Sequence, residues 1–315
     1  MAGNTLKRRE FIGRSATLGA AALIGTQATK GWARTGRPDA QPIGLAVVSG
    51  TDAAAMTAKA VSILGGMGAF VPKGAKVALL PNVQSKHPGT FTKPEILRSV
   101  IKLCKAAGAS EIACLSLLTQ AHWDGAGLAQ VVQEEGITLK LIPRDEANFK
   151  AVAIPGGQAL TEARVPKELD GYDLYINMPI TKDHAGNKFT GTLKNHMGLN
   201  SGASNRTFHK TNWKTDPADI EHLETCIVDL NTVFKPHLNI VDATEIITSN
   251  GPMGPGDLAK PGKIIAGVDR VAIDAYCAKE IIGLNPADVV CIRKAFERKL
   301  GEIDLRKVRI ETAKV

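Results

Sequence analysis

The chain has 315 residues, with 39 Lys and Arg against 31 Asp and Glu, and a formal net charge of +8 at pH 7. Residues 1–33 alone hold five Lys or Arg against one Glu, so they account for +4 of that charge, and the mildly basic remainder argues against a nucleic-acid-binding protein. Aromatic residues make up only 4% of the chain and aliphatic side chains dominate, which favours parallel sheets covered by helices.

The first 33 residues have the pattern of a twin-arginine signal peptide. Residues 7–13 read KRREFIG, in which paired arginines precede an aromatic and an aliphatic residue. The apolar run at residues 16–24 is too short to span a bilayer, and GWA at residues 31–33 supplies small residues for cleavage. We therefore expect the twin-arginine translocase as a partner and export to the periplasm or another extracytoplasmic space. Beyond residue 33 no run is long and apolar enough to predict a membrane anchor.

Strand and helix patterns alternate in the next part of the chain. Apolar runs predict buried strands at 43–48, 76–80, 111–117 and 138–142. Helical patterns lie between them at 52–64, 92–108 and 124–135. In the second of these helices, Thr92 and Glu95 predict a capping box, with Pro94 where no amide donor is needed. The repeated β–α–β order predicts an α/β fold with a doubly wound, mostly parallel sheet.

Residues 148–169 interrupt this alternation. Short extended pieces at 151–154 and 159–165 flank a Gly-Gly pair and predict a hairpin insertion, at a sheet edge or between two lobes. We expect residues 34–315 to form a single α/β domain, with the boundary near residues 145–170 if there are two lobes. Further strands and helices are predicted at 174–178, 216–234, 238–242, 263–266, 271–282, 289–300 and 308–312.

The five cysteines are widely scattered along the chain. No pair has the close spacing of a zinc or iron–sulfur site, so an iron–sulfur cluster built by this chain alone is not expected. An exported protein could form disulfides, but the odd count leaves at least one thiol free. The sequence therefore leaves the cofactor unidentified and the disulfides undecided.

Residues 184–215, which we call the acid-free segment, contain no Asp or Glu. They carry five Lys or Arg, three His and several Asn and Gly. Such groups supply positive charge and hydrogen-bond donors, and with no carboxylate nearby they favour an anion. The segment follows the strand-like run at 174–178, and open α/β sheets bind ligands beyond the carboxyl ends of their strands. We therefore expect it to form the floor of a site.

The candidate residues cluster in and around this segment. Lys182, Lys194 and Asn195 would bind a small carboxylate or phosphate, with the last two on a short helix whose amino-terminal amides also attract anions. His184 or His209 would transfer a proton, as in an isomerase or lyase. Two further ligand-binding candidates are Asn82, which follows a predicted strand, and Asp242, which lies at the end of one.

Two other interpretations remain open. In the first, the protein binds a metal or redox cofactor as an accessory protein, with His184, His209 and Asp242 as ligands, although histidine pairs at short helical spacing are absent. In the second it binds nucleic acid, since Phe189, Phe208 and Trp213 lie among basic residues. Export and the modest charge of the mature chain disfavour the second.

Several segments resemble the prokaryotic family called domain of unknown function 362. They include LPN at residues 80–82, the block TGTLKNHMG at 190–198, and AGVDRVAIDA at 266–275, and the likeness extends over nearly all of the chain after the signal. The resemblance implies an α/β fold, similar to the amino-terminal part of the nickel-dependent lactate racemase, but no established activity. Many members carry a ferredoxin-like iron–sulfur segment, whose cysteine spacing is missing here.

Overall fold

A mixed sheet of eight strands organises residues 44–315, which are the residues that this computed structural model describes. They belong to one compact unit. The predicted signal peptide at residues 1–33 lies outside the described residues.

Most neighbouring strands of the large sheet are parallel, which confirms the predicted fold class. The strands are β1 (Leu45–Ser49), β2 (Lys76–Pro81), β3 (Glu111–Ser116), β4 (Thr138–Leu141), β5 (Phe149–Ala153), β6 (Glu162–Pro166), β7 (Leu174–Met178), β8 (Leu238–Ala243), β9 (Ile246–Ile247), β10 (Leu258–Ala259), β11 (Lys263–Gly267) and β12 (Ile310–Lys314). Their order in the large sheet is β12-β1-β11-β8-β7-β2-β3-β4. Only β11 runs against both of its neighbours, β1 and β8.

Helices cover both faces of the sheet, because alternate strand residues point to opposite sides. The helices are α1 (Ala53–Ile63), α2 (Pro94–Ala106), α3 (Gln120–Gly125), α4 (Leu128–Glu134), α5 (Thr192–Asn195), α6 (Gly202–Phe208), α7 (Pro217–Val233), α8 (Arg270–Cys277) and α9 (Val290–Glu297). Ala78 and Leu80 of β2 pack in the same hydrophobic cluster as α7, α8 and α9, whereas Val77 and Leu79 pack in the cluster that holds α1, α2 and α4. Within residues 44–315, none of the helices has both the length and the apolar character to cross a membrane.

The predicted hairpin insertion is present. β5 and β6 pair antiparallel in a sheet of their own. The loop between them is fixed to α7 by the buried carboxylate of Asp229, which accepts hydrogen bonds from the amides of Gln158, Ala159 and Leu160 at 2.7–3.1 Å.

The predicted cap of α2 is wrong. The helix begins at Pro94 as expected, but its N-cap residue is Lys93. Thr92 instead donates its hydroxyl to the Met178 carbonyl at 2.6 Å and accepts from the amide of Asn82 at 3.0 Å. The tertiary partners at the ends of β7 and β2 outcompete the local capping pattern, and they tie the start of α2 to the strand ends.

Candidate functional site

A cavity of about 480 Å³ opens beyond the carboxyl ends of the strands. Its lining includes the last residues of β2 and β3, the loop after β4 and much of the acid-free segment that follows β7. The Lys, Arg and His side chains of the lining are Arg144, His184, Lys194, Arg206, His209 and Lys214. Among the described residues around this cavity there is no Asp or Glu. The lining therefore carries positive charge and no carboxylate of its own.

Lys194 contributes a buried and unpaired amine to this lining. Its side chain is partly exposed, but its Nζ atom is buried and has no hydrogen-bond partner among the residues that the structure describes. Burial lowers the pKa of Lys194, and the carboxyl group of Glu224 and the thiol of Cys291 partly oppose this effect. An unsatisfied buried ammonium is costly, so a ligand anion or another acceptor in the cavity would stabilise it.

Lys182 lies behind the cavity wall and does not line it. The side chain is fully buried, and its Nζ donates to Asn82 Oδ1 at 3.1 Å and to the Thr90 carbonyl at 2.6 Å. Burial, together with the positive charge of Lys194, lowers the pKa of Lys182 to about 7. Lys182 therefore does not contact the cavity directly, contrary to the ligand-binding role predicted from the sequence.

Four buried asparagines form a continuous chain of hydrogen bonds under the cavity, which we call the asparagine chain. Asn82 Nδ2 donates to Asn195 Oδ1 at 3.0 Å, Asn195 Nδ2 to Asn177 Oδ1 at 2.7 Å, and Asn177 Nδ2 to Asn239 Oδ1 at 3.0 Å. Asn82 and Asn195 do line the cavity, as the sequence predicted for ligand-binding residues. Their side-chain amides are largely occupied within the chain, however, so they fix the floor of the cavity and leave few groups for a ligand.

The sequence analysis missed Asn177 and Asn239. Each is a single amide among apolar strand residues. Asn177 follows LYI in β7, and Asn239 lies within the LNIV run of β8. A polar residue at a fully buried strand position needs a partner, and that requirement is the signal that could have identified them.

His184 and His209 both reach the cavity, on either side of Trp213. The Nδ1 atom of His184 lies 2.7 Å from the Ala185 carbonyl, and that of His209 lies 2.8 Å from the Asn205 carbonyl. A carbonyl only accepts, so Nδ1 carries the proton and Nε2 is the free acceptor of each neutral ring. Burial lowers both pKa values, with the charge of Lys194 as a further cause, so both rings are neutral at neutral pH. Their ring centroids lie 5.2 and 5.0 Å from that of Trp213.

The expected anion site at the amino terminus of α5 is wrong, because a protein carboxylate occupies it. Asp274 accepts the amides of Thr192 at 2.6 Å and Leu193 at 3.0 Å and the Thr192 hydroxyl at 2.8 Å. A Cβ atom at Gly191 would lie 2.3 Å from Asp274 Oδ1, so only glycine permits this approach. The sequence TGTLK at residues 190–194 thus holds α5 against Asp274, which in turn positions Lys194.

Asp242 is also not a residue of the cavity, contrary to the sequence-based prediction. Its buried carboxylate accepts from the Lys93 amide at 3.0 Å, the Thr244 amide at 2.9 Å and the Thr244 hydroxyl at 2.7 Å. It therefore does not join His184 and His209 as a set of metal ligands. Over residues 44–315, no group of three or more His, Cys, Asp or Glu side chains is arranged to hold a metal ion. All five cysteines are free and buried.

Three exposed cations at the mouth of the cavity were not singled out from the sequence. Arg144, Arg206 and Lys214 line the cavity and form no ion pair with any residue of the described chain. The Lys214 Nζ lies 5.3 Å from the ring centroid of Trp213. Arg206 and Lys214 are in the acid-free segment, and Arg144 follows β4, so the position after a strand end was the available signal.

A turn-rich loop closes one side of the cavity. Residues 250–254 belong to its lining, and the Gly251 amide donates to Asp183 Oδ2 at 2.8 Å. A Cβ atom at Gly251 would lie 2.0 Å from the Asp183 carbonyl oxygen, so a larger residue would displace the loop. The sequence identified this stretch only as irregular, because its contact with Asp183 joins residues that are far apart along the chain.

Comparison with known proteins gives a family match, a relative of similar sequence and a superposition on a solved structure. The family model described as "Domain of unknown function (DUF362)" matches residues 77–279. The thylakoid-associated protein sll1697 of Synechocystis is 30% identical over 247 residues, covering 76% of this chain and 72% of that protein. The lactate racemase apoprotein of Thermoanaerobacterium thermosaccharolyticum superposes with a TM-score of 0.45 at 15% identity, over 76% of this chain and 58% of that structure.

Proposed function

The chain belongs to the domain of unknown function 362 family, and we propose that it binds a small anionic metabolite, a carboxylate or a phosphate, in the cavity beyond the strand ends. The observation that carries this proposal is the composition of the lining. Four Lys or Arg and two His surround a cavity of about 480 Å³, with no Asp or Glu among the described lining residues. A concave site of this size suits a small metabolite, and its uncompensated positive potential favours an anion.

The two histidines support proton transfer on the bound anion. Neutral rings whose Nδ1 atoms are fixed by carbonyl groups present Nε2 as a base toward a ligand. Nearby Lys194 would stabilise the negative charge that develops when a proton is removed next to a carboxylate. Isomerase- or lyase-type chemistry is the reaction class that this arrangement suits best.

Lys194→Met is expected to abolish stabilisation by anions. At a concentration 100 times Kd, a ligand stabilises the folded state by about 2.7 kcal/mol, which is about 5–10 °C in Tm for a domain of this size. Loss of a charged hydrogen bond costs about 1.5–3 kcal/mol, enough to remove most of that shift. The measurement is a thermal-shift screen of carboxylates and phosphates on the wild type and the variant.

Lys210→Met is the matched control. Lys210 is exposed and lies in the acid-free segment, but it does not line the cavity. The shift with this variant should equal that of the wild type. An unchanged shift in Lys194→Met, or an equal loss in both variants, would remove Lys194 from the binding site and leave only a general effect of charge.

We further propose that the protein is exported by the twin-arginine translocase, on the strength of the KRREFIG pattern at residues 7–13. Replacing Arg8 and Arg9 together with Lys should retain the chain in the cytoplasm, because the paired arginines are the element that the pathway recognises. Cell fractionation and the mass of the accumulated protein provide the test, with Arg14→Lys as the control. Normal export of the double variant would show that this segment is not a twin-arginine signal.

A further inference from the structure

The amine of Lys194 differs from that of the neighbouring Lys182 in its bonding. Lys182 Nζ is tied to Asn82 Oδ1 and to the Thr90 carbonyl. Lys194 Nζ is equally hidden from bulk solvent, yet it has no hydrogen-bond partner and forms no ion pair with the described residues. It belongs to the cavity lining. A buried lysine nitrogen without a partner, at a cavity large enough for a small metabolite, is free to react with what enters.

The surroundings of Lys194 raise the fraction of its amine that is neutral and nucleophilic above that of an exposed lysine. Burial is the cause that lowers its pKa. The carboxyl group of Glu224 acts in the opposite direction, but its two oxygens are occupied by Asn187 Nδ2 and by the Cys291 amide at 3.0 Å. Glu224 therefore moderates the charge on Lys194 without binding its nitrogen.

A second unpaired group lies at the same cavity. The hydroxyl of Thr190 is buried, has no hydrogen-bond partner within the described chain and belongs to the lining. A hydroxyl in this position can donate a hydrogen bond to a carbonyl or alkoxide oxygen. An amine and a hydroxyl that both lack partners suit a ligand that carries an electrophilic carbonyl group.

We propose that Lys194 is a nucleophilic residue that forms a Schiff base with the carbonyl carbon of a 2-oxo acid held in the cavity. The inference rests on the proposed function, since the carboxylate of the 2-oxo acid is the anion that the cationic lining binds. It deepens that function by naming the substrate class and a covalent step. Arg206 and Lys214 remain available for the carboxylate while the amine of Lys194 meets the carbonyl group.

The covalent step conserves atoms and electrons without a further reactant. The lone pair of Nζ forms a bond to the carbonyl carbon, and the π electrons move to the oxygen, which takes up the proton that the nitrogen releases. The nitrogen lone pair then forms the second C–N bond as the hydroxyl group departs with a proton as water. One amine and one carbonyl compound thus give one imine and one water, with no change of oxidation state.

Reductive trapping on the full-length protein tests the inference. Pyruvate or 2-oxoglutarate is added with sodium cyanoborohydride, which converts the imine to a stable secondary amine, and peptide mass spectrometry locates the adduct. Because burial lowers the pKa of Lys194, more of its amine is neutral at neutral pH than that of an ordinary exposed lysine, so we expect higher occupancy at Lys194 than at exposed Lys210. Lys194→Arg, which keeps a positive charge but cannot form an imine, should give no adduct at this position while circular dichroism remains that of a folded protein.

Parallel thermal shifts with lactate and succinate, which lack a ketone, separate the two proposals. If these anions stabilise the protein but 2-oxo acids leave no adduct at Lys194, the Schiff base is wrong and the anion site stands. If neither anions nor 2-oxo acids act, both proposals fail together. An adduct spread evenly over surface lysines, or one located on Lys182, would also overturn the assignment to Lys194.

Discussion

Asp274→Ala should destabilise the protein by about 3–5 kcal/mol, because it leaves several buried donors without an acceptor. The carboxylate accepts three hydrogen bonds from Thr192 and Leu193, and all of these groups are buried. Burial raises the pKa of Asp274 to about 7, which the same three bonds partly oppose. Denaturant unfolding at about pH 8 therefore measures the ionised form with its hydrogen bonds at full strength.

The same substitution should also weaken anion binding, since Asp274 seats the helix that carries Lys194. Asp274→Asn keeps one acceptor oxygen and should lose about half as much stability. The control is Asp288→Ala, an exposed position with an expected change within about 0.5 kcal/mol. If Asp274→Ala behaved like Asp288→Ala, α5 would be held by other contacts and the interpretation of the TGTLK sequence would be wrong.

His196→Gln should change how stability depends on pH. Burial, with the charge of Arg270 as the next cause, lowers the pKa of His196 to about 3. The unfolded chain takes up this proton near its ordinary pKa of about 6.5, whereas the folded chain does not, so the wild type loses stability as pH falls below about 6.5. The loss is about 1.4 kcal/mol per pH unit, so between about pH 7.5 and about pH 4.5 the wild type should lose about 2.7 kcal/mol relative to the variant.

The contacts of His196 explain why the comparison with a variant is needed. The ring stacks on Phe234 at 5.8 Å and its Nδ1 lies 2.9 Å from Asn231 Oδ1, so glutamine will cost some stability at neutral pH. Buried carboxyl groups such as Asp274, whose pKa is raised, shift the pH profile of the whole protein in the opposite direction. Only the difference between wild type and variant isolates His196, with His122→Gln as a matched control. Parallel stability curves for wild type and His196→Gln over this pH range would falsify the assignment.

The sequence predicted the architecture well because the fold depends on local patterns. Alternating buried strands and amphipathic helices such as α2 recur along the chain, and each pattern reports one element and the face that it buries. The acid-free segment could also be recognised from composition alone, because residues 184–215 contain no Asp or Glu. Its position after β7 was enough to place it near the strand ends.

Individual site residues were less predictable, because their roles depend on partners far along the chain. Asp242 follows a strand as a site carboxylate would, but the amide of Lys93, 149 residues away in sequence, already occupies it. The amino terminus of α5 looked open to an anion until Asp274, 82 residues away from Thr192, was found on it. Lys182 and His184 are two residues apart, so the sequence suggested that both side chains face the cavity. Lys182 instead donates to Asn82, and of the two only His184 lines the cavity.

By itself, the sequence determined the α/β fold, the hairpin insertion and the concentration of cations after β7, since composition and short-range periodicity encode them. Tertiary structure alone decided which of those cations lack a partner. Lys182 and Lys194 are the same residue type and both follow β7 in the sequence. Only the packing of distant parts of the chain gives the first lysine two oxygen acceptors and leaves the second with none. Whether a buried charge is satisfied is a property of the groups that surround it in space, and no local pattern carries that information.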